Sequence, residues 1–118
     1  MLSTAQKCLD YPWRFILVGF ATFTLMFPAP KCSGQAYMKD LFTLSAVRGQ
    51  GVGKSLMRFN AAFAVEHGCT RFDWTAETTN PKAAEFYLSL GASLIKEKQY
   101  FRLDHQRLAA FAMQDAHS

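Results

Sequence analysis

Leu41-Phe42-Thr43-Leu44-Ser45-Ala46-Val47-Arg48-Gly49-Gln50-Gly51-Val52-Gly53-Lys54-Ser55 is the stretch that decides the architecture of this 118-residue chain. An apolar strand ends, a glycine-rich turn follows, and a helix begins. Backbone N–H groups in such a turn have no partner, and the first turn of the helix adds partial positive charge. Together they form a cradle for a phosphate or pyrophosphate. The glycines let the main chain approach that anion without a Cβ in the way, and Arg48 brings charge and paired donors to its mouth. Two nucleotide readings fail on spacing. A Walker A loop needs Gly, four residues, then Gly-Lys-Ser, and counting back from Gly53-Lys54-Ser55 puts Arg48 where the first glycine must stand. A dinucleotide fingerprint needs G-x-G-x-x-G, which Gly49, Gly51 and Gly53 do not satisfy.

Upstream, Ala36–Leu44 reads as the strand that enters the turn. Strict alternation would put Tyr37, Leu41 and Thr43 on one side, with Met38, Asp40 and Phe42 on the other. The apolar run Phe15–Phe27 precedes it, joined by the Pro- and Ser-containing loop Pro28–Gln35, so an antiparallel pair is expected. Downstream, a helix should run from about Lys54 to His67, ended by Gly68, with Leu56, Phe59 and Phe63, and Ala62 beside them, facing the sheet. Arg71–Glu77 reads as a third strand, and Asn80-Pro81 starts a second helix with Phe86 and Leu90 on its apolar stripe. Ser93–Ile95 and Gln99–Leu103 read as two last strands, and Asp104 as the cap of a final helix, His105–Met113. The expected fold class is α/β (α+β): a mixed, mostly antiparallel sheet flanked by helices, in the order β-β-α-β-α-β-β-α. Strand–helix–strand crossovers require parallel pairing within it.

Length and composition agree with one globular domain, residues 1–118. Half the residues are apolar, 19% are charged and eleven are phenylalanine, which excludes disorder and provides a bulky core. The net charge of +4 suits an anionic ligand, and the basic residues form no run of the nucleic-acid type. Cys8, Cys32 and Cys69 form no metal-binding pattern, and their odd number fits a reduced, cytoplasmic setting. The run Phe15–Phe27 also imitates the apolar core of an export signal. It is too short to span a bilayer as a helix, and its aromatic and β-branched content favours a buried strand. The histidines His67, His105 and His117 stand apart, and Phe72 and Trp74 read as core.

Arg48-Gly49-Gln50-Gly51-Val52-Gly53 resembles the acetyl-CoA loop of the GNAT superfamily of N-acetyltransferases, R/Q-x-x-G-x-G/A. Asn80-Pro-Lys-Ala-Ala-Glu-Phe-Tyr87, followed by Leu90-Gly91-Ala92, is similar to that superfamily's second cofactor helix. Within it, Val18–Ala21, Tyr37–Phe42 and Phe86-Tyr87 resemble the diamine (spermidine/spermine-like) acetyltransferases, so the likeness covers about Ile16 to the C-terminus. It implies transfer of an acetyl group from acetyl-CoA, used as co-substrate without a metal, to a primary amine of a small molecule such as a polyamine or diamine.

The resemblance also implies roles. Main-chain groups of Leu41, Phe42 and Thr43 would hold the pantetheine arm and polarise the thioester carbonyl, worth about 3 kcal/mol of barrier. Arg48, Gly49, Gln50, Gly51, Val52, Gly53 and Lys54 would cradle the pyrophosphate, and Asn80 would touch the cofactor further along. Tyr87 would protonate the leaving CoA thiolate. Asp40 matches one member of the family's acidic substrate pair, and Glu97 a further substrate contact. The diamine enzymes carry an acid where this chain has Lys39, which places a cation beside a cationic substrate.

Family members usually begin with a strand, two helices and another strand before the motif at Ile16–Phe27, whereas about fifteen residues precede it here. A homodimer is the expected way to supply the missing wall. The alternative is a CoA-binding module, or a truncated remnant, that acts as a dimeric partner without catalysis. No nucleic acid and no membrane are expected as partners.

Overall fold

The computed structural model describes residues 1–8, 15–27 and 34–114. Its elements are β1 (Leu2–Cys8), β2 (Phe15–Met26), β3 (Gly34–Thr43), a 3-10 turn (Ser45–Val47), α1 (Val52–Glu66), β4 (Cys69–Asp73), α2 (Pro81–Ser89) and α3 (His105–Ala112). The sheet has the order β1-β2-β3-β4. The first two pairings are antiparallel and β3 pairs with β4 in parallel. The parallel pairing follows from the crossover through α1, as the strand–helix–strand order requires. The α/β class and the mixed sheet are therefore as expected. The long run at Phe15–Met26 is a strand paired on both sides, as its β-branched and aromatic content dictates. Most of the expected loop Pro28–Gln35, with Cys32, lies outside the described residues, as does His117.

The element order departs from expectation at both ends. β1 was not anticipated, because Leu-Ser-Thr-Ala-Gln-Lys-Cys carries no clear apolar alternation. Its place comes from long-range contacts: the buried Ser3 hydroxyl donates to the Asn60 side chain of α1 at 2.8 Å, and the amino terminus donates to the Phe23 carbonyl at 2.6 Å. At the other end, Ser93–Ile95 and Gln99–Leu103 are not strands. Every residue from 93 to 114 is exposed, and no backbone hydrogen bond ties residues 93–103 to the sheet among the described residues. Strand propensity without a neighbouring strand leaves each N–H to water, so no ladder forms. The third strand also stops at Asp73 rather than Glu77.

The core lies between the sheet and α1. Ala21, Phe23, Met38 and Met57 form its centre, with Phe63, Phe72, Trp74, Phe86 and Tyr87 packed around them. A second group, Ala36, Ala64 and Cys69, continues it toward the start of β4. α1 is rotated relative to the expected face: Leu56, Met57, Asn60 and Ala64 are buried, while Phe59 is 56% exposed and Ala62 is exposed too. The buried stripe contains a polar residue that an apolar-periodicity reading skips. Asn60 is fully buried and satisfied by Ser3 and by a contact to the Met38 sulfur. Gly68 ends α1 at φ 80, as expected of a left-handed helix terminus. Asp104 precedes α3, but its side chain makes no capping hydrogen bond.

Candidate functional site

A bulge in β3 shapes the site. Thr22 pairs with Asp40 and Phe23 with Met38, so Lys39 is an extra residue opposite β2. The extra residue inverts the alternation. Ala36 and Met38 are buried before it, whereas Leu41 and Thr43 are the half-buried residues after it and Asp40 and Phe42 are exposed. The expected two-sided division of Tyr37 to Thr43 therefore fails at Lys39. β4 pairs with β3 only as far as Tyr37–Asp73, so β3 runs on to Thr43 without a described strand on that side. Alternate main-chain groups of this stretch face the gap between the two strands.

That gap is a cleft of about 570 Å³, lined by Phe20, residues 39–42, residues 75–77, Asn80, Ala83 and Tyr87. It brings together Asp40, Leu41, Phe42, Asn80 and Tyr87, which the sequence singled out from two distant motifs. Asp40 accepts a hydrogen bond from the Thr22 hydroxyl at 2.6 Å. Tyr87 is held by Trp74, whose ring meets it edge-on at 5.2 Å, and by Phe86 at 5.3 Å. Burial among these rings disfavours the phenolate and raises the Tyr87 pKa above its ordinary 10.0. Asn80 caps α2, its side-chain oxygen accepting from the Ala83 N–H at 3.3 Å, which leaves its amide N–H₂ for any other partner. Glu77 also lines the cleft and was not anticipated, because it was placed at the end of a strand rather than in the wall that follows one.

The glycine turn sits at the end of β3, next to the cleft. Val47 is its buried anchor. Gly49 and Gly51 take φ values of 84 and 82, and a Cβ on either would meet nothing within 4 Å. Glycine is therefore required for backbone conformation there, and the surface above both is open. Gly53 differs: a Cβ would lie 3.3 Å from the Phe86 ring, so its absence lets α2 close against the start of α1. Gly51 caps α1 with no side-chain hydrogen bond, and no acidic residue stands in the first turn. The N–H groups of Val52, Gly53 and Lys54 have no acceptor among the described residues, as the first turn of a helix dictates. Arg48 and Lys54 are exposed beside them. The residues present thus fit a pyrophosphate: bare N–H groups, an open surface and two cations. Glu97 is not brought to the cleft and lies exposed in a turn of the C-terminal segment. No group of His, Cys, Asp and Glu side chains suited to a metal occurs among the described residues, and no described helix is long and apolar enough to cross a membrane.

Comparison with known proteins matches residues 9–92 to the family described as Acetyltransferase (GNAT) family. A curated relative, thialysine N-epsilon-acetyltransferase of Sus scrofa, is 32% identical over 63 residues, 53% of this chain and 37% of that protein. Aminoglycoside N(6')-acetyltransferase type 1 of Klebsiella aerogenes is 29% identical over 87 residues, 72% of this chain and 57% of that protein. Among solved structures, an integron cassette protein from the mobile metagenome of V. cholerae is 56% identical, with a TM-score of 0.80 over 83% of this chain and 60% of that one. The chain therefore spans 37–57% of the length of these two curated relatives.

Proposed function

The chain belongs to the acetyltransferase (GNAT) family, and from that premise we propose that it moves an acetyl group from acetyl-CoA to a primary amine of a small molecule. The observation that carries the reading is the convergence of the open glycine cradle and the Asp40–Tyr87 cleft at the end of one strand, β3. Arg48, Gly49, Gln50, Gly51, Val52, Gly53 and Lys54 hold the pyrophosphate of CoA through N–H groups and charge. Leu41, Phe42 and Thr43 present main-chain groups to the pantetheine arm and to the thioester carbonyl. Asn80 offers its amide N–H₂ near the same path.

In the transfer, the amine nitrogen forms a bond to the acetyl carbon and the carbon–sulfur bond breaks. Tyr87 gives its phenolic proton to the departing thiolate. A phenol held above its ordinary pKa keeps that proton throughout the neutral range, so the donor is always loaded. The proton shed by the amine goes to Asp40 or Glu77, the carboxylates of the cleft, directly or through water. The named substrates of the relatives, thialysine and aminoglycosides, are amines, consistent with this class. Lys39, on the cleft wall beside Asp40, disfavours a polycation such as a polyamine. We assign the chain a cytoplasmic setting and a homodimeric state, and treat residues 1–118 as one domain. The second reading, a CoA-binding module without catalysis, has a specific observation behind it: Glu97, one expected substrate contact, lies away from the cleft. Thiol release with an amine, abolished in Tyr87→Phe while acetyl-CoA binding persists, supports the enzyme; binding without thiol release from any amine supports the module.

A further inference from the structure

Strict alternation along β3 would put Lys39 with Tyr37 on one face of the sheet and Asp40 with Met38 on the other. The bulge changes that. With Lys39 as the extra residue opposite β2, the alternation inverts after it. Met38 is buried, whereas Lys39 and Asp40 are both exposed, and both line the cleft. An ammonium and a carboxylate therefore stand next to each other on one wall, where a regular strand would have turned them apart. They do not neutralise each other, since no ion pair joins Lys39 to any carboxylate among the described residues. Asp40 is held instead by the Thr22 hydroxyl, which donates to one of its two oxygens at 2.6 Å. Lys39 is the only cation among the lining residues, and Asp40 and Glu77 are the carboxylates. Phe20 and Phe42, with ring centroids 5.5 Å apart, give the same cleft an apolar stretch.

We propose that Lys39 is a specificity-determining residue, which makes the cleft select amines that carry an anionic group, a carboxylate or a phosphate, on the same molecule. Lys39 holds that group, Asp40 faces the ammonium end, and the carbon skeleton lies along Phe20 and Phe42. The inference rests on the reading of this cleft as the amine site and names the class of amine. Three kinds of ligand meet the wall differently. A diamine brings two ammonium groups, so one that reaches Asp40 leaves the other near Lys39, and like charges placed together weaken binding. A simple monoamine meets Asp40 and gains nothing from Lys39. An amine with a carboxylate or phosphate gives both wall charges an opposite partner, and the Lys39 ammonium serves either anion because it acts as a compact point charge. The same residue thus attracts one class and repels another, the combination from which specificity arises. The cleft volume of about 570 Å³ is that of a small-molecule site.

Dissociation constants for lysine and cadaverine, measured by nuclear magnetic resonance titration of the full chain with CoA present, test it, because the two ligands differ by a single carboxylate. O-Phosphoethanolamine and ethanolamine form the matching pair for phosphate. The anionic member of at least one pair should bind about 10-fold more tightly than its partner, and the pair that shows this identifies the anion. Lys39→Glu, at an exposed side chain, should reverse the order. Lys39→Met, which keeps the length and loses the charge, should bring the two members together, and Lys39→Arg should keep the preference. Thiol release from acetyl-CoA, followed in parallel, tests the transfer reading separately. The expected binding order without thiol release supports the selectivity and overturns the transfer; thiol release with cadaverine and ethanolamine preferred overturns the selectivity and supports the transfer. The proposal is also overturned by wild-type binding in which neither anionic ligand is favoured, by a preference that Lys39→Glu and Lys39→Met leave unchanged, or by no binding of any of the four ligands.

Discussion

α1 and the C-terminal arm, residues 93–114, both carry large apolar side chains, but only α1 packs a stripe of them against the sheet. Leu56, Met57 and Ala64 are buried against the sheet, while the arm keeps Tyr100, Phe101 and Phe111 in water. The difference lies in the partner rather than the pattern. α1 is placed by β2, β3 and by Ser3, 57 positions away from Asn60, whereas residues 93–103 pair with no described strand. A periodic pattern states which face seeks burial; long-range contacts decide whether burial occurs.

The largest effect that sharpens this comparison is Phe23→Ala, which should cost about 3–5 kcal/mol of stability by denaturant titration, since the side chain is 4% exposed in the core. Phe101→Ala, at a side chain 85% exposed, should stay within about 0.5 kcal/mol. Equal losses in the two would erase the distinction between body and arm. At the cleft, Tyr87→Phe should lower turnover by about 10²–10⁴-fold while leaving the melting temperature nearly unchanged. The alkaline limb of the wild-type rate should lie above pH 10, because burial raises the Tyr87 pKa from 10.0. The sign for stability follows: below pH 10 the phenol is neutral in both folded and unfolded chains, and above it the unfolded chain ionises first, so stability falls as pH rises. A rate lost already near pH 8 would assign the donated proton to another group. Asn60→Ala should cost about 1–3 kcal/mol, because the Ser3 hydroxyl is left buried without its acceptor. Smallest of all, Asp73→Asn should change stability by less than about 0.5 kcal/mol, since the Arg71–Asp73 pair at 3.0 Å is largely exposed.

The glycine turn was legible because its backbone is written in its letters: Gly49 and Gly51 occupy left-handed positions that other residues avoid. Asn80-Pro81 was legible for a similar reason, the cap and the first-turn proline both being local. The bulge at Lys39 was not, for no residue type marks it; it is a register shift between two strands, and only their pairing shows it. Asp40 is reached only through the resemblance, and Glu77 is hidden for a different reason, since its strand ends at Asp73 and not at Glu77. β1 is invisible because its place rests on long-range contacts, the pairing with β2 and the Ser3–Asn60 hydrogen bond. The C-terminal segment misleads in the opposite sense, since Gln99–Leu103 has strand composition but pairs with no described strand.

Calorimetric titration of the full chain with acetyl-CoA, beside Arg48→Ala and Gly51→Asp, tests most directly whether the bare turn above α1 is a pyrophosphate site. We expect saturable binding near one site per chain, weakened in Arg48→Ala and abolished in Gly51→Asp, where a carboxylate faces the unfilled N–H groups. Absence of heat at millimolar acetyl-CoA from a folded protein, or equal binding by all three proteins, would contradict it.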